Sequence, residues 1–369
     1  MSNETKKIAI FASFSGAGGV ERMLLNLASG IAARGHRVDL VLAKAKSVHL
    51  ENLPPGVELH RLGTNHTLTS LWRLAAYLRR ERPDGLLAAK ERACRVAVLA
   101  KKLSGSRARL VFRLGTTLSA ALEGKSALRK LLWYLPMRLT YPHADAVVGV
   151  SAGVRDDLLQ ITRQPPERFH VIANPVITPA LHEKSHEAVE HPWFADAQVP
   201  VILGVGRLTR QKDFPTLVAA FAQLRQNRPC HLVLLGEGGD REALTCQAQE
   251  LGVAEDVAMI GFQPNPYAYL AKASLFVLSS LWEGSPNALT EALAVGTPVV
   301  ATDCPSGPRE ILRGGEVAPL VPMGDVPARA AAMATVLDHP PEVASLKAAA
   351  AAYTVEQSSA SYLSLLLGR

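Results

Sequence analysis

Short apolar runs and helical stretches alternate along this chain in two successive series, and that alternation limits the fold more than any other feature. In the first half, 8–14, 38–43, 84–89, 110–113, 144–150 and 171–173 read as strands. Between them lie helical segments such as 20–33, where Met23, Leu24, Leu27 and Ile31 fall on one side. Runs that are apolar throughout suit strands buried on both faces, and a βα repeat needs a parallel sheet with helices above and below it. The stretch from about 174 to 198 breaks the rhythm with Pro175, Pro179, Pro192 and several His and Glu residues. A second series follows: strands at 200–205, 231–235, 257–260, 275–279 and 297–301, helices at 214–227, 241–251 and 287–295, and an Ala/Leu-rich helical end at 345–367.

The expected architecture is therefore α/β, with two Rossmann-like domains whose parallel sheets face a central cleft. The chain of 369 residues suits domains at 1–180 and 199–345, a linker at 181–198 and a C-terminal helix at 346–369 that caps the second domain or crosses back to the first. Hydrophobic residues at 48% supply a large core, which argues against disorder. A formal charge of +7 favours anionic partners, but no basic-aromatic groove or helix-turn-helix points to nucleic acid. Cys94, Cys230, Cys246 and Cys304 are scattered, with no C-x-x-C pair, which fits a reduced cytoplasm. No run of 18 apolar residues occurs, so a soluble or peripheral protein is expected.

Three segments carry candidate chemistry. In 276–310 a strand leads to Leu281-Trp282-Glu283-Gly284, then Ser285 as a helix N-cap and Pro286 at the first helical position. A helix opening there aims amides and a positive dipole end at an anion such as a diphosphate. Glu283 before that helix and Glu291 within it offer carboxylates to hydroxyl-rich ligands. The second segment, 204–212, brings Gly206, Arg207 and Lys212 to a Gly-rich turn after a strand. Two fixed cations there stabilise a departing diphosphate without a metal, and no Asp-x-Asp is present to bridge one. The third, Ser15-Gly16-Ala17-Gly18-Gly19-Val20-Glu21, lets backbone approach a ligand but is not a dinucleotide fingerprint, because Glu21 stands where the last Gly is required.

Together these segments resemble the retaining glycosyltransferases of family 4, which have the GT-B fold. The matching pieces run in order over nearly the whole chain: Gly18-Gly19-x-Glu21, Val150-Ser151-x-Gly153, Asn174-Pro175, Gly206-Arg207-Leu208 with Lys212, Leu235-Gly236-x-Gly238, Gly261-Phe262, and Glu283-x7-Glu291 followed by Gly296-Thr297-Pro298-Val299. Asn265-Pro266-Tyr267 and 303–310 look like the branch that builds lipopolysaccharide, capsule and exopolysaccharide chains.

The resemblance implies sugar transfer from a nucleoside-diphosphate donor, a UDP- or GDP-sugar, to a glycan or lipid-linked acceptor, with retained anomeric configuration and no metal or cofactor. It makes Glu283, Arg207 and Lys212 the catalytic group. Gly18, Gly19, Gly206, Gly236, Gly238, Gly284, Ser285, Pro286, Asn287, Ala288, Leu289 and Glu291 would join them around the donor, Glu291 at the ribose. Many relatives carry a His after the fourth strand of the first domain. Here 111–117 has none, and Arg113 stands in as a sugar or acceptor contact, with Ser151 as a second. The expected location is cytoplasmic, peripheral on the inner face of the plasma membrane. The segment 125–141 mixes Lys125, Arg129, Lys130 and Arg138 with Trp133, Tyr134 and leucines, as a helix on an anionic membrane would.

Other readings compete. Gly149-Val150-Ser151-Ala152-Gly153 satisfies G-x-S-x-G after a strand, the context of a serine hydrolase, but no His-Gly-Gly oxyanion segment precedes it. His182-Glu183-Lys184-Ser185-His186 matches H-E-x-x-H in a polar, Pro-flanked stretch without a third ligand. A sugar-nucleotide epimerase of similar architecture and a non-catalytic nucleotide-sugar binder are the remaining alternatives.

Overall fold

The computed structural model describes residues 4–16, 18–195 and 198–369. Ala17 of the first glycine-rich segment and 196–197 of the expected linker lie outside them. The chain divides into two compact units, one running up to Val176 and taking in Thr354–Arg369, the other Ile177–Tyr353.

The first unit is built on seven strands: β1 (Lys7–Phe14), β2 (Arg37–Ala45), β3 (Val57–Arg61), β4 (Gly85–Ala89), β5 (Arg109–Leu114), β6 (Ala146–Gly149) and β7 (Phe169–Val171). All pairs are parallel, in the order β3-β2-β1-β4-β5-β6-β7. The chain works outward from β1 on one side, then returns to β4 on the other, so the connection reverses between β1 and β4. Loops leaving the carboxyl ends of two such strands diverge and leave room for a ligand.

Both faces of this sheet are covered. Leu24, Leu27 and Ile31 of the helix Gly19–Ala32 join Tyr362, Leu363 and Leu366 on one face. Leu74, Leu78, Cys94, Met137 and Tyr141 cover the other. This double burial is why the central strands read as unbroken apolar runs.

The second unit repeats the plan with β8 (Val201–Val205), β9 (His231–Leu235), β10 (Val257–Gly261), β11 (Leu275–Leu278), β12 (Val299–Thr302) and β13 (Leu320–Val321). The order is β10-β9-β8-β11-β12-β13, again parallel, with the reversal between β8 and β11. Leu217, Phe221, Leu234, Val277 and Met333 lie in its core.

The element boundaries differ from expectation in three places. Strands β3 and β13 are additional. The segment 181–198 belongs to the second unit: Thr178 caps the helix Pro179–Ser185 by accepting the Leu181 amide at 3.0 Å, and Asn265 Nδ2 donates to the Lys184 carbonyl at 2.9 Å. The helical end splits at Tyr353. The helix Val343–Ala350 belongs to the second unit and Val355–Leu367 to the first. There Ser358 Oγ donates to the Ala173 carbonyl at 2.8 Å and Arg109 Nε to the Leu365 carbonyl at 2.6 Å. Among the described residues no helix is long and apolar enough to cross a membrane.

Candidate functional site

The connection reversal in the second sheet places two loops side by side. One leaves β8 and carries 206–212; the other leaves β11 and carries 279–286. Hydrogen bonds knit them together. Leu281 N donates to the Gln211 carbonyl at 2.9 Å, Gln211 Nε2 to the Trp282 carbonyl at 2.9 Å, and Ser279 Oγ to the Lys212 carbonyl at 2.6 Å.

At the centre Lys212 Nζ lies 2.5 Å from Glu283 Oε1, and Ser280 Oγ donates to the same oxygen at 2.8 Å. The pair is mostly withdrawn from water, with side-chain exposures of 18% for Lys212 and 10% for Glu283. Such a pair is electrostatically stiff, because partial desolvation strengthens its attraction. The ammonium keeps further N–H donors beyond the one directed at Glu283. Arg207, on the same turn as Gly206, is exposed. Its guanidinium carries five N–H donors in a planar fork suited to phosphate. The carboxylate next to Cys304 also marks the electrostatics here: burial first, and the Glu283 charge second, push that thiol up to about 12.

The glycines act on backbone geometry. A Cβ on Gly236 (φ +139°) would stand 1.9 Å from the Gly206 carbonyl oxygen, and one on Gly238 would stand 2.0 Å from that of Leu208. Only without side chains does the turn after β9 press onto the turn after β8, where Leu208 N donates to the Glu237 carbonyl at 3.0 Å. At Gly206 the space a Cβ would fill is taken by the Lys212 stem, with Cε at 2.8 Å. These glycines therefore shape the loop that presents Arg207 and Lys212.

The helix after the second loop starts one residue later than expected. Pro286, with φ −72° and ψ 104°, is the N-cap, so helical dihedrals begin at Asn287, and no side chain caps the helix Asn287–Val295. Ser285 stays outside it, buried in the bend that leads into the helix. The Pro286 carbonyl accepts the amides of Leu289 at 3.1 Å and Thr290 at 3.2 Å. Amides of a first turn lie outside their own helix's ladder and carry its positive end. Asn287 and Ala288 are half-buried there, while Leu289 is core. Glu291 sits on the next turn, 2% exposed. Ser306 Oγ donates to the Gly284 carbonyl at 3.1 Å and pins this loop from the far side. Ser306 adopts φ +82°, a costly conformation for a residue with a Cβ, of a kind that clusters at ligand loops.

The remaining predicted residues belong to the first unit. Gly18 is the N-cap of the helix Gly19–Ala32, and a Cβ on it would meet nothing within 4 Å. Glu21, in the third position of that helix, reaches back so that Oε1 accepts the amides of Ser15 at 2.7 Å and Gly16 at 3.3 Å. This is the reciprocal arm of a capping box, extended upstream, and it fixes the glycine-rich turn at the end of β1.

Arg113, expected as a sugar or acceptor contact, is a buried residue of the first unit. It is 2% exposed, and its Nη2 donates to Asn174 Oδ1 at 2.8 Å, with the Tyr362 hydroxyl also an electrostatic partner. It ties β5 to the end of the first unit's sheet and to the C-terminal helix. Burial holds its pKa below the usual arginine range.

Ser151 caps the helix Ala152–Thr162, its Oγ accepting the Val154 amide at 3.3 Å. That is a helix-start role, against the hydrolase reading. The H-E-x-x-H match sits on exposed positions, with His186 Nδ1 2.7 Å from the carbonyl of His182. Among the described residues the one trio at metal-ligand spacing is Asp39, Glu58 and His60. Its Asp39 is 3.6 Å from the Lys7 ammonium and accepts the Tyr77 hydroxyl, so its charge is met within the protein.

Ser279, Ser280, Gln211 and Ser306 were not singled out from sequence. The serines at the carboxyl end of β11 had a usable signal, since polar residues just past a central parallel strand are placed where ligands bind.

Residues 187–353 match the family model described as Glycosyl transferases group 1, and 17–178 match Glycosyltransferase Family 4. The chain is 33% identical over 226 residues to the N-acetylgalactosamine-N,N'-diacetylbacillosaminyl-diphospho-undecaprenol 4-alpha-N-acetylgalactosaminyltransferase of Campylobacter jejuni. That match takes in 61% of this chain and about three fifths (59%) of the relative. Identity to the lipopolysaccharide core biosynthesis glycosyltransferase LpsE of Rhizobium meliloti is 28% over 326 residues, 85% of this chain and 83% of the relative. Among solved structures, Anabaena Alr3699/HepE in complex with UDP-glucose superposes with a TM-score of 0.76 at 20% identity, covering 97% of this chain and 99% of that one.

Proposed function

The chain belongs to glycosyltransferase family 4, with the GT-B fold, and from that premise we propose that it transfers a sugar from a nucleoside-diphosphate donor to a glycan or lipid-linked acceptor in bacterial surface polysaccharide synthesis. One observation carries this reading: the Lys212–Glu283 pair, bonded at 2.5 Å beside the exposed Arg207, at the point where the second sheet reverses. Arg207 and Lys212 hold the diphosphate, and the first-turn amides of the helix Asn287–Val295 add their dipole. Glu283 accepts a hydroxyl of the donor sugar, and Glu291 accepts the ribose hydroxyls.

Transfer breaks the bond between the anomeric carbon and the β-phosphate oxygen and forms one to the acceptor oxygen. With retention, attack and departure share one face of the sugar. The acceptor hydroxyl then lies within reach of the departing phosphate oxygen, which takes its proton. Negative charge grows on the diphosphate as the bond opens, and fixed cations lower the barrier without reorganising. Neither a metal nor a cofactor enters this scheme.

The names of the relatives support the class of substrates: an undecaprenyl-diphosphate acceptor for the Campylobacter enzyme and UDP-glucose in HepE. A UDP- or GDP-sugar is the donor proposed here. An acceptor on a lipid carrier puts the enzyme peripherally at the inner face of the plasma membrane. The test is a thermal-shift and transfer assay of the full chain against a panel of nucleotide sugars. Stabilisation by one donor together with transfer of its sugar is expected; failure of every UDP- and GDP-sugar to bind would refute the proposal.

A further inference from the structure

The helix Ala127–Thr140 carries five exposed leucines: Leu128 (67%), Leu131 (48%), Leu132 (64%), Leu135 (47%) and Leu139 (64%). At about 100° per residue they fall within roughly 100° of the helix circumference. Trp133, Tyr134 and Met137 occupy the opposite side. There Met137 is fully buried, Tyr134 packs on the core, and Arg92 and Arg95 each lie 5.9 Å from the Trp133 ring. The leucine face therefore points directly out of the unit. An apolar stripe of this kind is unusual on a water-facing surface and marks something that covers it.

Charge identifies the cover. The helix contains no Asp or Glu, and Lys125, Arg129 and Lys130 stand at its start without an ion-pair partner among the described residues. In an isologous contact of this helix with a second copy of this chain, the cations would meet other positions of the partner helix, none of which carries an acid to answer them. A surface of anionic lipid headgroups answers them at once, while its acyl region accepts the leucines. Fourteen residues reach only about 21 Å, short of the roughly 30 Å of a hydrocarbon core, so the helix lies in the plane of the surface and does not span it.

We propose that the leucine face of Ala127–Thr140 inserts into one leaflet of an anionic bilayer, with the exposed Lys125 and Arg129 on the phosphates beside it. This docking face is separate from the donor residues and does not depend on the transfer chemistry, because its test uses neither donor nor acceptor.

The full chain is sedimented with vesicles of phosphatidylcholine alone and of phosphatidylcholine mixed equally with phosphatidylglycerol. It partitions onto the anionic vesicles. The exposed double substitution Leu132→Glu, Leu135→Glu reduces that partition about tenfold or more, with unchanged melting temperature. Replacing Lys125 and Arg129 by Ala removes the preference for anionic over neutral vesicles. Three results would overturn the proposal: no partition onto anionic vesicles, partition unchanged by the two glutamates, or a dimer in light scattering that the glutamates dissolve while vesicle binding is absent.

Discussion

Replacing Lys212 by Ala separates the two roles its position gives it. In the protein its ammonium lies 2.5 Å from Glu283 Oε1, with 18% and 10% of the two side chains exposed. Removing it leaves the carboxylate with the Ser280 hydroxyl at 2.8 Å among its remaining donors. Breaking a fully buried ion pair costs about 3–5 kcal/mol; this one retains some solvent, so a loss of about 1–2 kcal/mol is expected. For a unit of this size that is a fall of a few degrees in Tm. The catalytic cost is larger. A charge-assisted hydrogen bond to a phosphate that gains charge in the transition state is worth about 3 kcal/mol, or about 10²-fold in kcat/KM. Lys212→Arg retains the charge and recovers part of the rate. The assay is steady-state transfer with the donor found by thermal shift, alongside calorimetric binding of the free nucleoside diphosphate. A Lys212→Ala protein with kcat/KM within about threefold of the parent and unchanged nucleotide affinity would refute the phosphate role.

Three further outcomes follow from the same geometry. Ser151→Ala removes the cap that accepts the Val154 amide, lowering stability by about 1 kcal/mol while transfer continues; loss of turnover in a folded Ser151→Ala protein would revive a nucleophilic role. Asn174→Ala takes away the acceptor 2.8 Å from the buried Arg113 guanidinium, which should cost about 2–3 kcal/mol in thermal unfolding and leave the donor KM unchanged. A raised KM would restore Arg113 as a ligand contact. Thiol labelling of the native protein at pH 8 should modify Cys246 alone, because Cys94, Cys230 and Cys304 are buried. Burial pushes Cys230 up to about 11 and Cys304 to about 12, so their reactive thiolate forms only at higher pH and is about one part in ten thousand for Cys304 at pH 8. A second equivalent incorporated before unfolding would contradict this burial.

Much of this fold was legible because the central strands are covered on both faces. β1, β4, β8, β11 and β12 are apolar for that reason, and β1, β8 and β11 are each followed by a helix of recognisable period. The edges were not legible. β3, Val57–Arg61, alternates apolar and polar residues and is half-exposed, and β13 has two residues. The helix Pro179–Ser185 falls in a stretch that reads as linker from its prolines and polar residues, although Thr178 before Pro179 is a standard helix start.

At the site, Arg207, Lys212 and Glu283 each stood out as polar groups in loops after central strands. Their pairing did not, because Lys212 and Glu283 lie 71 residues apart and meet only through the strand order. Arg113 shows the converse. Its type and place suggested a ligand contact, and its bond to Asn174, 61 residues on, is an internal tie that no local pattern reveals.

The most direct measurement is a crystal structure of the chain grown with UDP or GDP. The account predicts the diphosphate oxygens within about 3.2 Å of both the Arg207 guanidinium and Lys212 Nζ, close to the first turn of the helix Asn287–Val295. A nucleotide bound with both cations turned away from its phosphates would contradict it.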